Sequence, residues 1–66
     1  MSTSELKMSL AAARVNANMT QEDIAKELKV SKTTVVNWEK GKVVPSFATL
    51  QMLANLYQIP ADCIKV

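Results

Sequence analysis

Apolar residues recur along this chain at steps of three and four, the spacing that lines one face of an α-helix. Leu6, Leu10, Ala13 and Ala17 form the first stripe. Thr3 or Ser4 is placed to cap a helix that runs to about Ala17. Asn16-Ala17-Asn18 closes it, and Asn18 suits the left-handed conformation that asparagine tolerates. Met19 stands as an apolar residue just before Thr20, and Asp23 lies three positions beyond Thr20 to complete a capping-box pair. Ile24, Ala25 and Leu28 give the second helix its apolar face, with an end at Leu28 or Lys29. Glycine is usual at so sharp a break, so Lys29 is expected to carry a modest left-handed strain.

Ser31 caps a third helix over about Lys32 to Lys40. Thr33-Thr34-Val35-Val36 is a β-branched run whose intrinsic preference is strand. Cap, length and apolar spacing nevertheless agree on helix, at a cost of about a few tenths of a kcal/mol per residue. An isolated four-residue strand without a partner strand elsewhere is the poorer alternative. Val35 and Trp38 point one way, towards the core. Thr33, Val36, Asn37 and Lys40 share the opposite face. Gly41 ends the helix, and Pro45 keeps the following loop out of helical geometry. Ser46 then caps a fourth helix to about Tyr57, with Leu50, Leu53, Ala54 and Tyr57 inward and Phe47 near the start of that face. Pro60 opens a last short helix to Ile64. The expected fold is all-α, five helices around one core in a single domain, 1–66.

Composition narrows the chemistry. Sixty-six residues lie near the lower limit for a chain that folds without disulfides or metal. A single cysteine, Cys63, excludes an internal disulfide, and the absence of histidine leaves a zinc site short of ligands. The six acids are spread over helix surfaces and ends, with no acid/base pair for catalysis, so no enzyme and no cofactor are expected. No apolar run reaches membrane-spanning length and MSTSELKMS lacks a signal-peptide core, which makes a cytoplasmic setting the default expectation. The net charge of +2 says little, but its distribution says more. Lys29, Lys32, Lys40 and Lys42 face one acid, Glu39, whereas the second helix sets Glu22, Asp23 and Glu27 against Lys26. Charge alone leaves two readings open, a solvated lysine-rich face and a nucleic-acid contact.

The residues Arg14, Thr20-Gln21-Glu22-Asp23-Ile24-Ala25, Val30-Ser31-Lys32-Thr33-Thr34-Val35, Trp38-Glu39-Lys40-Gly41, Pro45-Ser46 and Leu50 with Leu53-Ala54 decide between them. Together they resemble the lambda-repressor-like helix-turn-helix family of phage Cro proteins, phage repressors and XRE-type bacterial regulators. The likeness covers about Leu6 to Ile64, with the helix-turn-helix at about 20–40. It implies a five-helix DNA-binding domain that works as a dimer on a palindromic double-stranded operator, with the second helix of the motif in the major groove. The small size leaves no room for the oligomerisation and cleavage domain of lambda-type repressors, which favours a Cro-like regulator that blocks transcription in the bacterial cell.

Position by position, the resemblance implies that Gln21 clamps a DNA phosphate. Lys32, Thr33 and Asn37 occupy base-reading positions, Thr34, Lys40 and Lys42 contact the backbone, and Arg14 with Glu39 ties the first helix to the end of the third. The side chains suit these roles. Asn37 matches adenine bidentately, Lys32 matches guanine O6/N7, and Thr33 or Val36 meets a thymine methyl, each good base contact giving roughly 1–3 kcal/mol of discrimination. Outside the motif the same residues read as a solvent-facing asparagine, a bland first-turn glutamine and an ordinary surface ion pair. Lys29 and Gln58 stand where the family often has glycine, and Met52 and Leu56 where it is commonly polar. Met52 and Leu56 read either as core filling or as a surface, built from the fourth and C-terminal helices, for a second copy or a partner repressor protein; Val43, Val44 and Val66 add exposed apolar surface, and Cys63 packs at that interface rather than being reactive. An antirepressor of the same fold is therefore the alternative function. Neither reading involves a membrane or a small-molecule substrate.

Overall fold

A computed structural model describes residues 7–65. In chain order it has β1 (Met8–Ser9), α1 (Leu10–Asn16), α2 (Gln21–Leu28), α3 (Lys32–Lys40), α4 (Phe47–Tyr57), a 3₁₀ turn over Ala61–Cys63, and β2 (Ile64–Lys65). Every α-helix begins at a hydroxyl residue in extended conformation. The side chains of Ser9, Thr20, Ser31 and Ser46 accept the backbone N–H groups of Ala12, Asp23, Thr34 and Thr49, so each helix has one orphan donor satisfied by its own cap. Thr20 and Asp23 form the full capping box, with the Asp23 carboxylate accepting the Thr20 N–H at 2.8 Å.

The helix ends are as uniform as the starts. Asn18, Lys29, Gly41 and Gln58 take left-handed backbone conformations, with φ of 61°, 58°, 79° and 60°. The next residue in each case donates its N–H to the carbonyl five positions back: Met19 to Arg14, Val30 to Ala25, Lys42 to Asn37 and Ile59 to Ala54, at 2.9–3.2 Å. This is the Schellman closure, and it recovers carbonyls that the helix leaves unpaired. Three of these four positions lack glycine, so the strain expected at Lys29 recurs at Gln58.

The two ends of the chain differ from the sequence reading. The first helix starts at Leu10, not near Ser4, because Ser9 supplies its cap and Met8–Ser9 is extended. Thr3, Ser4 and Leu6, to which the longer helix was tied, lie outside the described residues, as does Val66. Met8–Ser9 pairs in parallel with Ile64–Lys65, Met8 opposite Ile64 and Ser9 opposite Lys65. The last helix expected over Pro60 to Ile64 is instead one 3₁₀ turn leading into β2. The described chain therefore has four α-helices and a short closing ladder rather than five helices. Extended pairing wins here because Ile64 must reach the core (it is 4% exposed) while its backbone still needs partners, which β1 supplies.

Leu10, Ala13, Ile24, Ala25, Val35, Leu53, Ala54, Tyr57 and Ile64 form the core, drawn from all four helices and β2. Met19, Leu28, Val30, Trp38, Leu50, Leu56 and Ile59 pack around it, half-buried. Phe47 is not part of the inward face of α4: it is 72% exposed. As the first helical residue it precedes the stripe of Leu50, Leu53, Ala54 and Tyr57, and it points away from it. Among the described residues, no helix is long and apolar enough to cross a membrane.

Candidate nucleic-acid interface

Helices α2 and α3 share the largest contact between any two elements, and the turn between them is fixed from both sides. Val30 packs against the core and closes the end of α2, while Ser31 opens α3 one residue later. On α3, Val35 is 1% exposed and Trp38 lies against the core. That anchors the inner face, so the β-branched run is held as helix by packing on one side. The outer face then follows from the 3.6-residue period. Lys32, Thr33 and Lys40 are exposed, and Thr34, Val36 and Asn37 are partly so. Lys42 is exposed in the loop after Gly41.

Two networks prepare this face. At its edge the Lys32 ammonium lies 3.4 Å from the Glu22 carboxylate, both groups well exposed. Thr34 is engaged locally, since its hydroxyl bonds with that of Ser31 at 3.0 Å. Behind the face, the Glu39 side chain is 8% exposed and paired with Arg14: the Arg14 Nε donates to Glu39 Oε2 at 2.7 Å and Nη2 to Oε1 at 3.3 Å. The Arg14 Nη1 also donates to the Met19 carbonyl at 2.9 Å. The hydrogen bond to Glu39 raises the pKa of Arg14, against the opposing effect of burial. Gln21, at the first position of α2, donates its side-chain Nε2 to Glu39 Oε1 at 2.9 Å.

The pairing changes the electrostatic count made from the sequence. Glu39 is the one acid between Lys29 and Lys42, and its charge is met inside the protein by Arg14. All four lysines of that segment are exposed, and among the described residues Lys32 is the one in an ion pair, with Glu22. Thr33 and Asn37 have no side-chain hydrogen bond among the described residues, so their donors and acceptors are available to a ligand.

The second candidate surface is separate. Glu27, Leu28, Met52, Asn55 and Leu56 line an open groove of about 290 Å³ between α2 and α4. Both residues of the expected apolar surface line it, Met52 at 46% exposed and Leu56 half-buried against the core. Cys63 is half-buried in the 3₁₀ turn and does not line that groove. No group of acids, cysteines or histidines among the described residues forms a metal cluster.

Comparison with known proteins matches residues 10–62 to the Helix-turn-helix family. An HTH-type transcriptional regulator of Methanocaldococcus jannaschii is 37% identical over 61 residues, spanning 92% of both chains. The chain belongs to the lambda-repressor-like helix-turn-helix family. It is thus a helix-turn-helix domain of the kind carried by DNA-binding transcriptional regulators. It is also 33% identical over 58 residues to the HTH-type transcriptional activator BcrR of Enterococcus faecalis, and 36% identical over 47 residues to the phage CTXphi transcriptional repressor RstR of Vibrio cholerae. The chain spans only 28% of BcrR's length and 42% of RstR's. No solved structure gives a significant match.

Three features of this surface arise only in the folded chain. The contact between Gln21 and Glu39 joins residues far apart in sequence, and no local pattern signals it. Glu22 as the counter-charge of Lys32 was legible only as one of several acids on α2. The exposure of Phe47, beside exposed Val43 and Val44, depends on what packs opposite the start of α4.

Proposed function

We propose that this protein is a sequence-specific DNA-binding regulator of the Cro-like type, which represses transcription by occupying a palindromic operator as a dimer in the bacterial cytoplasm. The observation that carries this reading is the outer face of α3. Thr33, Val36 and Asn37 stand on a helix anchored from behind by Val35 and Trp38, between Lys32 at one end and Lys40 and Lys42 at the other, with the intervening acid neutralised by Arg14. Small hydrogen-bonding and methyl-bearing groups at the centre suit base edges in a major groove, and flanking ammonium groups suit phosphates. In this scheme Asn37, Thr33, Val36 and Lys32 read bases, and Gln21, Thr34, Lys40 and Lys42 hold the backbone. Several such phosphate contacts release counterions, so affinity falls steeply with salt.

The decisive experiment is selection of bound sequences from a random DNA pool, followed by titration of the consensus. A palindromic consensus, bound less well by Asn37→Ala and Thr33→Ala proteins of unchanged melting temperature, is the expected result. Operator affinity unchanged in both variants would refute the assignment of α3. A second reading has one observation of its own, the open groove beside exposed Met52 on a helix, α4, with no charged residue. There the protein captures a partner repressor and acts as an antirepressor. Met52→Glu with Leu56→Glu then abolishes partner capture or shifts the sedimentation mass, while a pool selection enriches nothing.

A further inference from the structure

The polar cluster where α1, α2 and α3 meet links the protein interior to the proposed phosphate clamp. The Glu39 carboxylate, with a side chain 8% exposed, receives three donors: Arg14 Nε and Nη2, and Gln21 Nε2. A carboxylate only accepts hydrogen bonds, so Gln21 must turn its amide nitrogen, not its carbonyl, towards Glu39. That nitrogen carries two hydrogens. One is committed to Glu39, and the other remains for a second acceptor. Arg14 holds the carboxylate in place and, through its bond to the Met19 carbonyl, holds the entry to α2 as well.

From this geometry we infer that Glu39 is a positioning residue for DNA binding. It fixes the Gln21 carboxamide before DNA arrives, so that the free N–H of Nε2 meets a phosphate oxygen. Without Glu39 the amide turns freely about its terminal torsion, and half of its orientations set the carbonyl oxygen against the phosphate. Pre-set geometry also removes the side-chain ordering that binding otherwise requires. The buried ion pair thus acts on affinity as well as on stability, through a neutral residue that a search for basic side chains passes over. The inference rests on the DNA-binding reading and on Gln21 as a backbone contact.

The test is a double-mutant cycle in operator affinity, read by fluorescence anisotropy well below the lowest melting temperature, with parent, Gln21→Ala, Glu39→Met (which leaves no acceptor for Gln21) and the double variant. Each single variant is expected to bind about tenfold more weakly, the scale of a hydrogen bond to a charged group. The double variant is expected to be no weaker than the poorer single. Operators carrying one methylphosphonate at a time locate the contact: one neutralised phosphate weakens the parent and has no further effect on either variant. Multiplying effects in the double variant, or Glu39→Met binding like the parent despite a lower melting temperature, overturns the inference.

If Glu39→Met does not fold, exchange of the Gln21 side-chain amide protons in the unaltered protein gives the answer. One proton protected in the free protein and both in the operator complex supports the assignment, and two equally exposed protons in the free protein overturn it. Thr33→Ala and Asn37→Ala keep the two claims apart. If these weaken binding while the cycle is additive, DNA binding stands and the role of Glu39 falls. If no DNA sequence is enriched at all, both fall.

Discussion

Four Schellman closures with one glycine among them make the helix ends the clearest place to alter stability on purpose. Lys29 is exposed and sits at φ 58°, ψ 44°, inside the left-handed region. Its only described backbone duties are its own N–H, bonded to Ala25 and Lys26, and a peptide that lets Val30 reach Ala25. Any residue meets those duties, but a Cβ in this region costs roughly 1–2 kcal/mol. Glycine removes that cost while enlarging the freedom of the unfolded chain, a loss of about 0.4–1 kcal/mol. The difference leaves Lys29→Gly more stable by about 0.5–1 kcal/mol. For a domain of this size, 1 kcal/mol moves the melting temperature by roughly 4–8 °C, so a rise of about 2–8 °C is expected by circular dichroism. Gln58→Gly, at φ 60°, should add a similar increment independently. Gly41→Ala runs the comparison in reverse: there is open space where the methyl would sit, so its loss of about 1 kcal/mol would come from φ 79° alone. If Lys29→Gly lowers the melting temperature while Gly41→Ala leaves it unchanged, the left-handed strain is not what these turns carry and the reasoning fails.

Other consequences concern charge. The Tyr57 phenol is pushed up to about 12, first by burial and then by the Glu39 carboxylate, against an opposing pull from Arg14. A raised folded pKa means that the stability this group contributes is complete below its unfolded value, near 10. It is then lost as the pH climbs from there to about 12. Denaturant titrations of the parent should show that decline, and Tyr57→Phe should flatten this part of it; an equal slope in both proteins would assign the decline to other groups. Arg14→Met leaves Glu39 buried without its counter-charge and should cost about 3 kcal/mol, whereas Arg14→Met with Glu39→Leu should cost less than the single change, as measured by urea unfolding. A double variant less stable than Arg14→Met contradicts this. Glu22→Gln removes the anion beside Lys32, and since unit charges about 4 Å apart in water interact by about 1 kcal/mol, DNA affinity should rise roughly fivefold at low salt and less at high salt. No rise at low salt would mean that Lys32 lies off the DNA face.

Much of this fold was legible because much of it is local. The caps Thr20, Ser31 and Ser46, the limits of α2, α3 and α4, and the left-handed residues Asn18, Lys29 and Gly41 all depend on contacts within five residues, which are written in consecutive letters. The division of α3 into Val35 and Trp38 behind and Thr33, Val36 and Asn37 in front follows from its period once the run is helical. The candidate base-reading residues were visible for that reason.

What escaped the sequence was decided by pairing across distance. Ser9, rather than Thr3 or Ser4, starts α1 because Met8–Ser9 is drawn into a parallel ladder with Ile64–Lys65, from the opposite end of the chain. That same ladder turns the expected fifth helix into a single 3₁₀ turn. Phe47 looked like core by hydrophobicity and stands in solvent by position, since α4 fills its inward side from Leu50 onwards. Charge counting made Glu39 a partial counterweight to the lysines, and only the family resemblance implied its tie to Arg14. Folding carries it beneath the surface, against Arg14 and Gln21, and leaves the lysines largely unopposed. The sequence by itself determined the helices and the residues displayed on α3. Tertiary structure decided which charges remain on that face, because burial and pairing of an acid depend on groups that only the folded chain brings within 3 Å.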